Sequence, residues 1–254
     1  MDLKLEKRTI LVTAASRGLG LGVAISLVNE GARAIICGRN EASLKSAVEL
    51  LGENAEYLVA DVSKPEDVSM LLEHVKSKYE TLDGLFVNAG GPPPGTFDTV
   101  SEEDWESSFQ LTLMSAVRLT KEALPLLKKS DSPSILYSTS ISVKQPIGNL
   151  LLSNSMRPAV IGMMRTLAEE IGPHGIRVNA VCPGYINTER VKELMDASGD
   201  AKAAINRITT SVPLGRMGEP AEFGAVCTFL LSPVSSYVHG ALLLVDGGMY
   251  KGMM

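Results

Sequence analysis

The sequence predicts an α/β protein, one doubly wound parallel sheet of about seven strands with helices on both faces, spanning 1–254 as a single domain. Three observations carry this. Short runs of Ile, Val and Leu alternate from end to end with stretches of helical apolar spacing. Polar or glycine residues follow one run after another, as in Gly38-Arg39-Asn40, Asp61 and Asn88-Ala89-Gly90, and the carboxyl ends of strands are where such sheets bind ligands. The 254 residues, 45% of them hydrophobic, suffice for one ample core, with no repeat, low-complexity tract or linker to divide it.

Ile10-Leu11-Val12 is a buried strand. A glycine turn, Thr13 to Gly20, leads from it into a helix through Glu30. Gly18 and Gly20 let backbone approach closely, and the helix start offers unpaired N–H groups and a positive dipole end, an anion seat. Ala34–Cys37 is a second strand; Asn40 caps a helix through Leu51, and Gly52 ends it. Tyr57–Ala60 is a third strand, and Pro65 opens a helix to Tyr79. Leu85-Phe86-Val87 is a fourth, followed by the stiff loop Gly91 to Gly95. Ser101-Glu102-Glu103-Asp104 starts a helix that continues to about Leu127. Ser134–Tyr137, Ile176–Val181 and Ala241–Val245 complete the strands. Helices are expected at Leu150–Ile171, Thr188–Ser198 and Pro220–Leu231.

A net charge of −5 argues against a nucleic-acid partner. No apolar run approaches the roughly 18 residues of a membrane span, and Met1–Arg8 lacks the apolar core of a signal peptide. A cytoplasmic protein is expected. Cys37, Cys182 and Cys227 are too scattered for a disulfide framework or a zinc site. His74, His174 and His239 form no ligand pattern, and no metal is expected. No G-x-S-x-G elbow is present, and Thr96 stands where a phosphate loop spanning Gly90 to Gly95 would need Lys. Met163 and Met164 are read as helix packing.

Thr13 to Gly20, Asp61-Val62, Asn88-Ala89-Gly90, Arg177 to Gly184 and Val245-Asp246-Gly247-Gly248 together resemble the short-chain dehydrogenase/reductase family over nearly the whole chain. The nearest likeness is to the branch with β-ketoacyl-carrier-protein reductases. The resemblance implies a Rossmann-like fold and a nicotinamide dinucleotide. Thr13 belongs to the turn, whose residues Ala15, Ser16, Arg17, Gly18 and Leu19, with Gly20, would hold the pyrophosphate. Asp61 and Val62 would bracket the adenine; Asn88, Ala89 and Gly90 would line the ribose side. Pro183 and Gly184 would lead to Ile186 and Thr188 at the nicotinamide amide. Arg17 and Arg39 stand where NADP-binding members carry basic residues, and no carboxylate stands at Cys37 or Gly38, so NADP(H) is expected over NAD(H). The family also implies a homo-oligomer, a tetramer or dimer packed through helices near Leu113–Leu127 and Leu150–Ile171.

Two departures stand out. Ala14 replaces a family glycine in the tight turn. The family's catalytic Asn–Ser–Tyr–Lys set falls on Thr112, Ser140, Ser153 and Arg157, so only Ser140 is kept. Ser138, on the same strand face, is an alternative to Ser140. A tyrosine with an ordinary pKa of about 10 is tunable by a neighbouring cation. Serine is a shorter and far weaker acid, and general acid catalysis is worth about 10²–10⁴ in rate. Arg157 can steady an oxyanion or a ribose but gives up no proton. Pro158 disfavours helical geometry at Arg157, so the helix is expected to start or kink there. Tyr185 and Lys144 are further proton-donor candidates, though loop packing and a solvated cation are the simpler readings; Tyr137 is read as core.

The expected activity is transfer of hydride between NADP(H) and a carbonyl or alcohol carbon of a small molecule, with Ser140, Ser153 and Arg157 at the site and a segment at about 187–216 covering it. The alternative is a catalytically silent dinucleotide-binding sensor or scaffold.

Overall fold

The computed structural model describes residues 1–196 and 199–253. Among them seven strands form one sheet: β1 (Thr9–Val12), β2 (Arg33–Gly38), β3 (Ala55–Val59), β4 (Gly84–Val87), β5 (Ser134–Ser138), β6 (Arg177–Pro183) and β7 (Leu242–Val245). Their order is β3-β2-β1-β4-β5-β6-β7, and every neighbouring pair is parallel. Chain order runs outward in opposite directions from β1 and β4, so the crevice between them is the switch point at which ligands of such sheets bind.

Period-two alternation sends strand side chains to two cores. Leu11, Ile35, Leu85, Ile135, Tyr137 and Val178 meet the helices α3 (Pro65–Lys78), α5 (Ser115–Leu127) and α6 (Leu151–Ile171). Ile10, Val12, Ile36, Phe86, Leu136 and Val181 face α1 (Gly18–Asn29), α2 (Glu41–Leu51) and α9 (Pro220–Leu231). Both faces are thus covered, which is why the strands read as continuous apolar runs.

Local signals place the helix ends. The Asn40 side chain accepts from the Ser43 N–H at 2.8 Å, and Gly52 closes α2 at φ 75°. Ser101 and Asp104 form a reciprocal capping box at the start of α4 (Glu102–Ser108). The single helix expected from there to Leu127 is instead α4, a π-helical turn at Phe109–Met114, and α5. The extra residue per turn is a local hydrogen-bond shift that apolar spacing cannot register.

Helix α6 runs through Pro158 without a break. The helix therefore does not start at Arg157: it begins at Leu151, with Pro158 in its interior. After β6 come α7 (Glu189–Asp196), within the helix expected from Thr188, and α8 (Ala201–Ser211), which the sequence reading did not separate from loop; Asp200 caps α8 by accepting from the Ala203 N–H at 2.9 Å. Ala197 and Ser198, expected at the end of the helix from Thr188, lie outside the described residues.

Arg177, buried at the start of β6, donates to Leu230 O at 2.8 Å, Ser232 O at 3.0 Å and Ser235 Oγ at 2.7 Å. It neutralises the carboxyl end of α9, and burial lowers its pKa to about 10. Its role is structural. Among the described residues no helix is long and apolar enough to cross a membrane.

Candidate active site

A cleft of about 480 Å³ opens along the carboxyl ends of β1, β2, β4, β5 and β6. That volume lies within the usual range for small-molecule sites of roughly 300–1,000 Å³. One end lies over the turn after β1. There the Thr13 hydroxyl donates to Asn88 O at 2.7 Å and accepts the Asn88 N–H at 2.9 Å. The Asn88 amide donates to Thr13 O and Ala14 O, both at 3.3 Å. The carboxyl ends of β1 and β4 are thereby tied together at the switch point.

Ala14 adopts φ 49°, the left-handed region that favours glycine. The departure from the family glycine is thus tolerated as backbone strain. Ala14 lines the cleft, with Ser16, Arg17, Gly18 and Leu19. Thr13, Ala15 and Gly20 lie behind that wall: each is buried, and the Ala15 N–H is consumed by Cys37 O at 2.9 Å. A Cβ on Gly20 would stand 2.5 Å from Ala14 O and 2.8 Å from Ala15 Cα, so only glycine permits this tight a return.

Helix α1 begins here with no side-chain cap and no acidic residue in its first turn. Its N–H groups and dipole are unopposed, and the residues fit a diphosphate. Farther along, Arg39, Asp61 and Val62 line the cleft, as do Asn88, Ala89 and Gly90. Asp61 is held by its own turn, accepting at Oδ1 from the Ser63 N–H at 3.0 Å and the Ser63 hydroxyl at 2.8 Å. Arg39 is exposed and makes no hydrogen bond or ion pair among the described residues. Arg17 is engaged elsewhere: Nη1 lies 2.6 Å from Glu189 and 3.7 Å from Glu193, both on α7. Arg190 anchors α7 from the other side by donating to Pro92 O at 3.0 Å. Pro183, Gly184, Ile186 and Thr188 line the wall between.

The inner end is built by β5 and α6. Ser138, Ser140, Ser153 and Arg157 all reach it. Ser153 and Arg157 are one helical turn apart, and Arg157 Nε donates to Ser153 Oγ at 3.2 Å. Arg157 Nη1 donates to Thr139 O at 2.7 Å and Ser138 O at 3.3 Å. Burial lowers its pKa to about 10, so the guanidinium is charged at neutral pH. The Ser142 N–H donates to Ser140 Oγ at 3.1 Å, and the Ser142 and Ser153 hydroxyls lie 3.3 Å apart.

The substitute proton donors are elsewhere. Tyr137 is fully buried, its hydroxyl 2.6 Å from Thr120, and burial pushes its pKa upward. Lys144 is exposed, its ammonium 5.9 Å from the Tyr250 ring centre. Tyr185 is half-buried, away from the cleft lining, with its pKa raised by burial. Thr112 is buried behind Arg157, beside a cavity of about 20 Å³, and its hydroxyl has no hydrogen-bond partner. Sequence reasoning missed Ser142, Leu150, Arg190 and Leu194. The apolar spacing of 189–196 was the available signal for the last two; for Ser142 it was the short-range serine turn, in which the Ser140 hydroxyl accepts the N–H two residues on.

The family model described as enoyl-(acyl carrier protein) reductase matches residues 13–250. The 3-oxoacyl-[acyl-carrier-protein] reductase of Vibrio cholerae is 32% identical over 98% of this chain and 99% of its own length. The crystal structure of L-sorbose reductase from Gluconobacter frateurii, complexed with NADPH and L-sorbose, has a TM-score of 0.93 at 30% identity, with all of both chains covered. A short chain oxidoreductase from Pseudomonas aeruginosa, described as containing an atypical catalytic center, has a TM-score of 0.89 at 26% identity, covering 96% of this chain and 98% of that one.

Proposed function

Because the chain belongs to the short-chain dehydrogenase/reductase family, whose members are oxidoreductases, we propose that it binds NADP(H) in preference to NAD(H) and interconverts a carbonyl and an alcohol at a site where Ser153 and Arg157 replace Tyr and Lys. One observation carries this reading: each of the two inner hydroxyls already accepts a protein N–H. Ser140 Oγ accepts from Ser142 at 3.1 Å, and Ser153 Oγ accepts from Arg157 at 3.2 Å. The Ser140 O–H is left to donate into the cleft toward a substrate oxygen, while the Ser153 hydroxyl shares a hydrogen bond of 3.3 Å with the Ser142 hydroxyl in which either is the donor. Arg157, braced on Thr139 O and Ser138 O, polarises Ser153 and favours negative charge beside it.

The helix α1 start and the turn from Ala14 to Leu19 hold the diphosphate, Asp61 and Val62 the adenine, and Asn88 to Gly90 the ribose. Arg39, exposed and without a partner among the described residues, receives the 2′-phosphate; Arg17 serves it less, being paired with Glu189. The reduced nicotinamide supplies hydride when bound. Leu150, Val191 and Leu194 add apolar lining to the cleft, and lower local polarity strengthens the hydroxyl and guanidinium contacts.

Calorimetric titration tests this. NADPH is expected to bind more tightly than NADH, and Arg39→Ser to weaken NADPH about 10- to 100-fold, the loss of one charged contact, while leaving NADH within about twofold. No saturable binding of either nucleotide overturns the reading. Tight binding without NADPH oxidation on any ketone or aldehyde favours the catalytically silent module instead.

The same reading includes a homo-oligomer. Pro158, Ala159 and Gly162 form a small, exposed apolar strip on α6 suited to close helix packing. Light scattering is expected to give a dimer or tetramer, and Ala159→Arg to shift it toward monomer.

A further inference from the structure

Among the described residues, Arg157 is a cation without an anion. Its Nε and Nη1 are spent on neutral acceptors, Ser153 Oγ, Thr139 O and Ser138 O. Nη2, with two N–H bonds, makes no hydrogen bond among the described residues, and no carboxylate offsets the burial of the charge. The other arginines of the cleft differ. Arg17 lies beside Glu189 and Glu193, Arg190 Nη1 lies 3.9 Å from Glu193, and Arg39 is exposed to water. The remaining carboxylate in the described lining, Asp61, is held by its own turn. A charge withdrawn from water and left unpaired is costly, so a ligand that brings the opposite charge gains most at Arg157.

The surroundings say where that ligand sits. Arg157 borders the cleft on one side and the cavity of about 20 Å³ on the other. The cavity has room for about one water, so only the cleft admits an anion of several atoms. Ser138, whose backbone oxygen Arg157 already reaches, also lines the cleft, and its hydroxyl makes no hydrogen bond among the described residues. Ser140, two residues on and extended at φ −164°, projects from the same face.

We propose that Arg157 Nη2 and the Ser138 hydroxyl form a carboxylate site at the inner end of the cleft, and that the substrate is a short oxo acid or its hydroxy acid, with the carboxylate on the carbonyl carbon or one carbon removed. This rests on the carbonyl–alcohol reading above and names its substrate class.

Two neighbouring donors, one of them charged, suit the two oxygens of a carboxylate. Ser140 then meets the carbonyl oxygen. Hydroxyls on alternate residues of an extended chain are about 7 Å apart and each reaches about 2.8 Å. They serve oxygens a few ångströms from one another, the separation in a 2-oxo or 3-oxo acid. The nucleotide does not supply this anion. Its diphosphate, seated at the turn before α1, lies at the other end of the cleft, and its ribose hydroxyls are neutral.

The step balances without a further reagent. The carbonyl carbon gains hydrogen with its electron pair from the reduced nicotinamide dinucleotide, which is left oxidised. The carbonyl π pair comes to rest on oxygen, which takes a proton from water, and the carboxylate is unchanged.

The first test needs no turnover. The full-length protein, with saturating NADPH and without nucleotide, is titrated calorimetrically with two unreactive pairs: oxamate against oxamide, and malonamate against malonamide. Each pair differs in one carboxylate exchanged for a carboxamide. At least one anion is expected to bind about 10- to 100-fold more tightly than its diamide. Arg157→Met, shown by circular dichroism to be folded, is expected to bring that ratio near one, and Ser138→Ala to lower it about 3- to 10-fold. No preference for either anion, or a preference that survives in Arg157→Met, overturns the carboxylate site. A preference unchanged in Ser138→Ala removes Ser138 from it.

The second test compares 2-oxobutanoate with its methyl ester, and 3-oxobutanoate with its own, as substrates with NADPH. One acid is expected to exceed its ester in kcat/KM by about 10-fold or more, chiefly through a lower KM. Esters that match or exceed both acids overturn the substrate class. Absent NADPH binding is a failure of the dinucleotide reading, and the titration without nucleotide still decides the carboxylate site.

Discussion

Arg157→Met is expected to lower kcat for reduction by roughly 10²–10³, the usual loss for an oxyanion-site donor. Methionine matches the arginine stem but leaves three oxygens, on Ser153, Thr139 and Ser138, without their donor. Ser153 then keeps the Ser142 hydroxyl as a neighbour but loses its polarisation. Single-turnover kinetics measure the effect, with circular dichroism to confirm folding. Arg157→Lys keeps the charge, but one ammonium on a flexible stem cannot serve those oxygens in the same fork geometry, so it is expected to recover only part of the loss. The wild type carries a pH signature of the same group. Its guanidinium charge is present below about 10 and lost above it, so kcat is expected to stay level through neutrality and fall only as pH passes that value. A fall centred near neutrality would place a titrating side chain at the reacting oxygen and remove Arg157 from this role.

Gly20→Val is expected to abolish measurable NADPH binding, and Gly20→Ala to weaken it at least about 10-fold. The atoms an added Cβ would strike, Ala14 O at 2.5 Å and Ala15 Cα at 2.8 Å, are backbone, so the whole turn must open. Overpacking of this kind costs about 1–3 kcal/mol, or a fall in Tm of roughly 3–10 °C for a chain of this size. Calorimetry and thermal unfolding report the two effects. Ala14→Gly is the control. It relieves about 1–2 kcal/mol of left-handed strain and adds about 0.5–1 kcal/mol of unfolded-state entropy, so Tm should shift little. An unchanged nucleotide affinity in Gly20→Val would mean that the turn does not hold the diphosphate.

The seven strands, the caps at Asn40 and Ser101 and the helix breaks at Gly52 and Gly172 follow from short-range signals: apolar runs, side chains that mimic a backbone turn, and residues that cannot continue a helix. The same signals mark the glycine turn as an anion seat, because close backbone approach and a helix start are properties of adjacent residues. Segments whose fate depends on partners far along the chain were less legible. The π-helical turn at Phe109–Met114 and helix α8 are two such cases, and the run of α6 through Pro158 is a third.

The sequence by itself determined that this is a doubly wound sheet with an anion seat after its first strand, since periodicity and turn chemistry are written in consecutive residues. Only the tertiary structure decided which groups line the inner cleft. It buried Tyr137 against Thr120, turned Lys144 to Tyr250, and spent Arg17 on Glu189 across 172 positions. It also brought Arg157 to the carbonyls at the end of β5 and set the Ser153 hydroxyl 3.3 Å from that of Ser142. Which groups face one another depends on elements distant in the chain, and that is a property of the packed fold.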